Sequence, residues 1–260
     1  MFEVFDKPYA DPVHLPLARD LQPVLLIVFG YLLFVLKLGR QWMAHRQPFQ
    51  LRGILKIYNV MQILYNGSLL ICGLHLIFVE SPYNLSCTTV LPLDHRLKLM
   101  ERTLSYLYYI NKLIDLLDTL FFVLRKKDKQ ITFLHVFHHV FMAVTTFLLI
   151  RFYGHGGQVF VTCMLNILIH VVMYSYYYIS SQSEHAQQSI WWKKYLTLMQ
   201  LVQFSIMFSY NLFLYVQPNC ESSDGVSITV CSASLFMFIM FSKFYINTYI
   251  RSKNKNLKSK

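Results

Sequence analysis

The sequence predicts an all-α integral membrane protein of seven transmembrane helices, and three observations carry that prediction. Of its 260 residues 55% are hydrophobic and only 14% are charged, where an ordinary soluble domain carries about 25% charged residues. The apolar stretches recur at close to the roughly 20 residues that a helix needs to cross the hydrocarbon core. The charged side chains lie mostly between those stretches and sort by sign. A net charge of +11 on a disordered or nucleic-acid-binding chain would come with few Leu, Ile, Phe and Tyr, which is not the case here. The runs are apolar throughout rather than alternating, which disfavours a β-barrel. With no Gly/Ser or Pro-rich linker and no internal repeat, one membrane domain over 1–260 is expected: a non-cytoplasmic segment 1–21, a seven-helix core 22–250 and a basic tail 251–260.

In chain order the predicted spans cover 23–38, 54–79, 99–124, 133–152, 158–180, 195–216 and 228–250. The third and fifth carry several polar groups, so hydropathy alone would also allow six. Basic residues are retained on the cytoplasmic side, which sets the orientation. The first connector holds Lys37, Arg40, Arg46, Arg52 and Lys56, and the third holds Arg125, Lys126, Lys127 and Lys129 against Asp128. The fifth holds Lys193 and Lys194 against Glu184, and the tail holds Arg251, Lys253, Lys255, Lys258 and Lys260. Sixteen of the 24 basic residues and two of the 13 acidic ones thus fall on the predicted cytoplasmic side. The N-terminal segment and the connector with Glu221 and Asp224 face the other compartment. Residues 1–21 contain no apolar core of a cleavable signal, so the first span is expected to act as the signal. Asn84-Leu85-Ser86 is a glycosylation sequon on a non-cytoplasmic connector, whereas Asn66-Gly67-Ser68 falls within a span. Cys87 and Cys220 lie on two non-cytoplasmic connectors, where an oxidising lumen permits a disulfide.

Ionisable and polar side chains inside a bilayer are expensive and need a partner, a wet cavity or a function. The second span contains Asn59, Gln62 and Asn66, the third Lys112, Asp115 and Asp118, and the fourth His135, His138 and His139. The fifth adds Asn166 and His170, and the sixth Gln200 and Gln203. Measured from the cytoplasmic ends, most lie at a depth of roughly 3 to 20 Å, taking 1.5 Å per residue. Polar residues that merely join helices need not share a depth, whereas a single polar chamber requires it. A polar belt is the alternative, for which Asn and Gln are common choices.

The sharpest element is His135-x-x-His138-His139, because positions i, i+3 and i+4 lie on one helix face. Three imidazoles then project into the same space, where each can accept a proton, attack a carbonyl or bind a metal. His170, on the following antiparallel helix and at similar depth, is expected to face them. Lys112, Asp115 and Thr119 share a face of the third span with Asp118 nearby. Carboxylates so placed can orient an imidazole by accepting its N–H, and an internal ion pair that orders the helix is the competing reading.

These motifs resemble the very-long-chain fatty acid elongases, the membrane 3-ketoacyl-CoA synthases of the endoplasmic reticulum. The resemblance rests on Leu134-His135-x-x-His138-His139, on His170-x-x-Met173-Tyr174-x-Tyr176-Tyr177, and on Thr197-x-x-Gln200-x-x-Gln203 after Trp191-Trp192-Lys193-Lys194. Arg46, Pro48, Phe49, Tyr58, Asn59 and Gln62 match the early motif, and the resemblance runs from Pro23 to Tyr249. Two positions depart from it. The family's Lys-x-x-Glu-x-x-Asp-Thr is here Lys112-x-x-Asp115-x-x-Asp118-Thr119, and Gly39-Arg40 stands where Gly-Pro is usual.

The resemblance implies seven transmembrane helices, six of them surrounding a closed-ended tunnel for the acyl chain. It also implies extension of a long-chain acyl-CoA by two carbons from malonyl-CoA, giving 3-ketoacyl-CoA, CO2 and CoA. No cysteine lies near the histidine cluster in sequence, so an imidazole is the nucleophile if there is one. His138 is the expected nucleophile, with His135, His139 and His170 moving protons and stabilising charge. Asp115, Asp118, Asn166, Gln200 and Gln203 are expected to orient them. By resemblance, Lys112, Arg125, Tyr176, Lys193 and Thr197 contact CoA. No cofactor is expected, since the CoA thioesters are substrates. The expected partners are membrane lipids, other enzymes of the elongation cycle and a second copy of the chain. The main rival is a membrane di-iron desaturase or hydroxylase, which shares the His-x-x-His-His box but draws on about eight histidines in repeated boxes. A seven-helix receptor or transporter does not account for four clustered histidines.

Overall fold

The computed structural model describes residues 9–183, 186 and 189–251, and these contain helices but no strand. Glu184 and the tail lysines 253, 255, 258 and 260 lie outside the described residues. The helices are α1 (Leu21–Ala44), α2 (Arg52–Glu80), α3 (Lys98–Ile114), α4 (Leu117–Leu124), α5 (Phe133–Phe152), α6 (Gln158–Gln182), α7 (Ile190–Val216) and α8 (Asp224–Arg251). All but α3 and α4 are long and apolar enough to cross a membrane. The chain is an all-α integral membrane protein.

The predicted third span is two helices rather than one. Asp115 N–H still bonds the Asn111 carbonyl at 2.8 Å, but Leu116 N–H bonds Leu113 and Asp118 N–H bonds Asp115, three residues back. The column therefore tightens into a 3₁₀ turn at the acidic residue of the Lys112-x-x-Asp115 motif. Six charged residues, Lys98, Glu101, Arg102, Lys112, Asp115 and Asp118, separate its composition from that of the six apolar helices. The α5 helix coincides with its predicted span, and at α1, α2, α6, α7 and α8 the ordered helix overruns the apolar stretch. α1, α2 and α8 each contain a wide-turned π-helical segment, at Phe34–Leu38, His75–Glu80 and Ile246–Arg251.

Two compact units divide the chain, 1–51 with 90–156 and 52–89 with 157–260. In the first, α1 and α3 pack on α5, and the end of α1 packs on α4. One apolar cluster joins Tyr31, Val35 and Met43 to Leu116, Val123 and Val136, and a second joins Val24 and Val28 to Tyr109, Ala143 and Phe147. Lipid is as apolar as these side chains, so close packing rather than water exclusion drives such contacts. Gly39 is one place where that closeness is visible: a Cβ there would sit 2.9 Å from Val123 of α4.

Residues 9–20 are strapped across one end of this unit. Arg102 donates to Asp11 at 2.9 Å, the Arg151 guanidinium lies 3.8 Å over the Tyr9 ring, and the Tyr109 hydroxyl donates to the Leu17 carbonyl at 2.8 Å. Burial, the largest single influence, raises the Asp11 carboxyl, but the hydrogen bonds from Arg102 and Val13 N–H and the Arg102 and His155 charges together outweigh it, and the group sits below its usual range. Neighbouring His155 is pushed down to about 4, first by burial; Asp11 opposes this and Lys98 and Arg102 add to it.

In the second unit α2 packs on α6, α6 on α7 and α7 on α8. Interhelical polar contacts tie them together, as is usual where water cannot compete. Gln158 donates to Ser227 at 2.8 Å and accepts from Ser223 N–H at 2.8 Å, and Asn211 donates to Thr162 at 3.2 Å. Cys87 and Cys220 form a disulfide, with 5.4 Å between their Cα atoms.

Candidate functional site

The histidine cluster begins with a helix cap. Thr132, extended at the N-cap of α5, accepts a hydrogen bond from His135 N–H at 3.2 Å, which fixes where the first turn starts. From that start His135, His138 and His139 fall on one face. The rings of His135 and His139 are 4.4 Å apart and those of His138 and His139 are 5.8 Å apart, both edge-on.

Around them stand the polar residues of α3 and α4. Lys112 and Asp115 pair at 3.0 Å, with side chains only 2% and 3% exposed, and the ammonium lies 4.9 Å from the Tyr108 ring centre. Both are close enough to act electrostatically on His138. His138 Nδ1 is buried and has no hydrogen-bond partner among the described residues. Thr119 meets His135 Nε2 at 2.9 Å, and on its other side meets the Tyr31 hydroxyl of α1 at 2.8 Å. The Phe122 ring flanks His135 at 5.2 Å. Asp118 and Arg125 are half-buried on and just after α4.

Within the first unit the structure therefore brings together His135, His138, His139, Lys112 and Asp115, with Asp118 one turn further along the column. The second unit holds the rest of the expected residues. Asn166, His170 and Tyr174 follow one another at i, i+4 and i+8 along α6, all buried, and the His170 ring is 5.9 Å from Tyr174. On α2, Gln62 donates to the Tyr58 hydroxyl at 3.1 Å and Asn66 donates to Gln62 Oε1 at 3.1 Å. This part of the polar band thus runs as a ladder along its own helix.

Tyr176 is buried and stacks on Trp192 of α7, with ring centres 6.4 Å apart. Thr197 is also buried, and its hydroxyl donates back to the Lys193 carbonyl, while the Lys193 side chain is exposed. Gln203 is buried beside Met207, and Gln200 is half-buried. Asn84 is exposed, its side chain accepting from Ser86 N–H in a short turn.

Tyr31 escaped the sequence reading. It sits in an otherwise apolar run, and a phenol there looks like any other bulky packing residue. The available signal was its hydroxyl, which needs a partner once buried.

The chain matches the GNS1/SUR4 (ELO) family over residues 16–257. It is 48% identical to very long chain fatty acid elongase F of Drosophila melanogaster over 248 residues, covering 95% of this chain and 96% of that protein. Against very long chain fatty acid elongase 4 of Homo sapiens it is 36% identical over 241 residues, covering 92% and 74%. A match that includes both the α5 histidine cluster and the α6 polar row establishes that the chain belongs to the GNS1/SUR4 (ELO) family.

Proposed function

We propose that the protein is the condensing enzyme of very-long-chain fatty acid elongation, a 3-oxoacyl-CoA synthase of the endoplasmic reticulum membrane. Membership of the family and likeness to elongases along nearly the whole chain support fatty acid elongation, with acyl-CoA substrates in a membrane setting. The observation that carries the chemistry is His138 Nδ1, a buried ring nitrogen with no hydrogen-bond partner among the described residues, beside a buried Lys–Asp pair and two further imidazoles. An unpartnered buried polar atom costs about 1–3 kcal/mol. Such a cost is tolerated where the lone pair is needed for reaction.

In this reading His138 attacks the acyl-CoA carbonyl, the C–S bond breaks, and CoA leaves as the thiol with a proton passed through the neighbouring imidazoles. The acyl-imidazole is protected from water by burial. Malonyl-CoA then enters and loses CO2. The resulting enolate attacks the acyl carbon, His138 leaves, and 3-ketoacyl-CoA is formed. His135, His139 and His170 serve proton transfer and charge stabilisation, and Asp115, Asp118, Asn166, Gln200 and Gln203 orient them. Lys112, Arg125, Tyr176, Lys193 and Thr197 bind CoA, which is a substrate, and no cofactor takes part. In this reading residues 1–260 are one membrane domain with a lumenal N-terminus and a cytoplasmic C-terminus, and the α3–α4 column is the third of its seven spans.

The test is elongation by the purified protein with labelled malonyl-CoA and a panel of acyl-CoAs of increasing length. Wild-type protein releases CoA from acyl-CoA before malonyl-CoA is added and forms a covalent acyl adduct. His138→Ala forms no adduct and has no turnover. Adduct formation by that variant removes His138 as the nucleophile.

A further inference from the structure

Three side chains from three helices form one hydrogen-bonded row: Tyr31 of α1, Thr119 of α4 and His135 of α5, at 2.8 and 2.9 Å. Tyr31 is 5% exposed and Thr119 is fully buried. The row has a direction, which follows from counting hydrogens. The phenol has one hydrogen, the threonine hydroxyl has one, and a neutral imidazole has a donor nitrogen and an acceptor nitrogen. Thr119 is the hydrogen-bond partner of the Tyr31 hydroxyl among the described residues. If Thr119 donated to Tyr31, the phenol hydrogen would be buried with nowhere to go, and buried donors are nearly always satisfied. Tyr31 therefore donates to Thr119, which leaves the threonine hydrogen for His135 Nε2. That nitrogen is the acceptor, and the ring proton sits on Nδ1.

We infer that Tyr31 is a positioning residue for the histidine cluster: acting through Thr119, it holds His135 as the Nδ1–H tautomer. The inference rests on the condensation reading for the reaction it serves. A histidine that must donate to developing oxyanion or enolate charge needs its proton on a defined nitrogen, and the hydrogen bond at the other nitrogen sets that choice. Without the phenol, the Thr119 hydroxyl can turn and accept from Nε2–H as readily as donate to it. The ring then divides between two tautomers, of which one is productive. Neither Tyr31 nor Thr119 touches substrate in this scheme.

The experiment compares wild type, Tyr31→Phe, Thr119→Val, Thr119→Ser, the Tyr31→Phe/Thr119→Val double variant and His138→Ala, each purified in detergent. Turnover, KM for both CoA thioesters and thermal unfolding are measured. The expected result is a kcat about tenfold lower for Tyr31→Phe, with both KM values within about twofold of wild type. Thr119→Val is impaired at least as much, Thr119→Ser keeps nearly full turnover, and the double variant is no worse than Thr119→Val alone because both act on one row. Wild-type kcat in Tyr31→Phe overturns the inference, and so does Thr119→Ser impaired as strongly as Thr119→Val. If Tyr31→Phe does not accumulate, the threonine pair decides. An active His138→Ala defeats the nucleophile assignment, and the Tyr31 and Thr119 series still reports whether His135 is held by the row.

Discussion

Helix α3 and the joint that follows it carry two buried lysine–carboxylate pairs of the same i, i+3 spacing, Lys98–Glu101 at 2.8 Å and Lys112–Asp115 at 3.0 Å. In sequence they are equivalent, and in the fold they are not. The first is closed on every side. Lys98 also reaches the His155 carbonyl, Glu101 accepts from Leu91 N–H at 3.3 Å, and the Glu101 carboxylate fills the space where a Cβ on Gly156 would sit. Gly156 has φ +92°, so glycine is required there twice over. The second pair has an aromatic face on one side and His138 within electrostatic reach. A buried pair whose valences are spent on loops is an anchor. One set beside an imidazole cluster is available to chemistry.

The largest expected effect breaks the anchor. Glu101→Gln leaves the Lys98 charge buried without its counter-ion, a loss of about 3–5 kcal/mol, visible as a lower unfolding temperature and lower yield, while the turnover of the folded fraction stays near wild type. Normal stability with lost turnover in that variant would invert the comparison. Asp115→Asn is expected to cost turnover on the order of a hundredfold in the protein that folds. Loss of stability alone there would make both pairs anchors.

The smallest effect is in the pH dependence of stability. His155, at the closed pair, has its folded pKa lowered to about 4, below its unfolded value near 6.5. Its contribution is complete above pH about 6.5 and is lost as the pH falls towards 4. Asp11, also lowered, keeps its contribution above its unfolded 3.8 and loses it only in stronger acid. Unfolding temperature against pH should therefore fall between about 6.5 and 4 in wild type and flatten in His155→Asn. An unchanged slope in that variant removes His155 from the acid response.

The helices were legible because a membrane span is a matter of length and apolarity, and both can be counted. The three-histidine face was legible because i, i+3 and i+4 have one geometric meaning on a helix. The cysteines on connectors could be paired because Cys87 and Cys220 fell on the same predicted side. What sequence could not show was closure. Lys98 and Glu101 read as charges at the edge of a span, since nothing local says that Leu91 and the turn at Gly156 return to meet them. The joint at Asp115 was hidden for a similar reason, as an i, i+3 pair fits a regular helix equally well. Tyr31 was hidden by its neighbours, because a hydroxyl reveals its purpose only when Thr119 arrives from elsewhere in the chain.

The in-helix placement of the α3 ion pair has a consequence for how the protein is made. A segment leaving the ribosome meets the lipid before its later neighbours exist, and a bare lysine or aspartate at the centre of a span raises the cost of insertion by about 2.5–3.5 kcal/mol on translocon scales. Lys98 and Glu101 bring their counter-charges from one turn away on the same helix. Lys112 and Asp115 do the same across the joint. In the proposed topology, where the α3–α4 column is a span, the most polar segment of the core would enter the membrane already neutralised in pairs, without waiting for α5 to be synthesised.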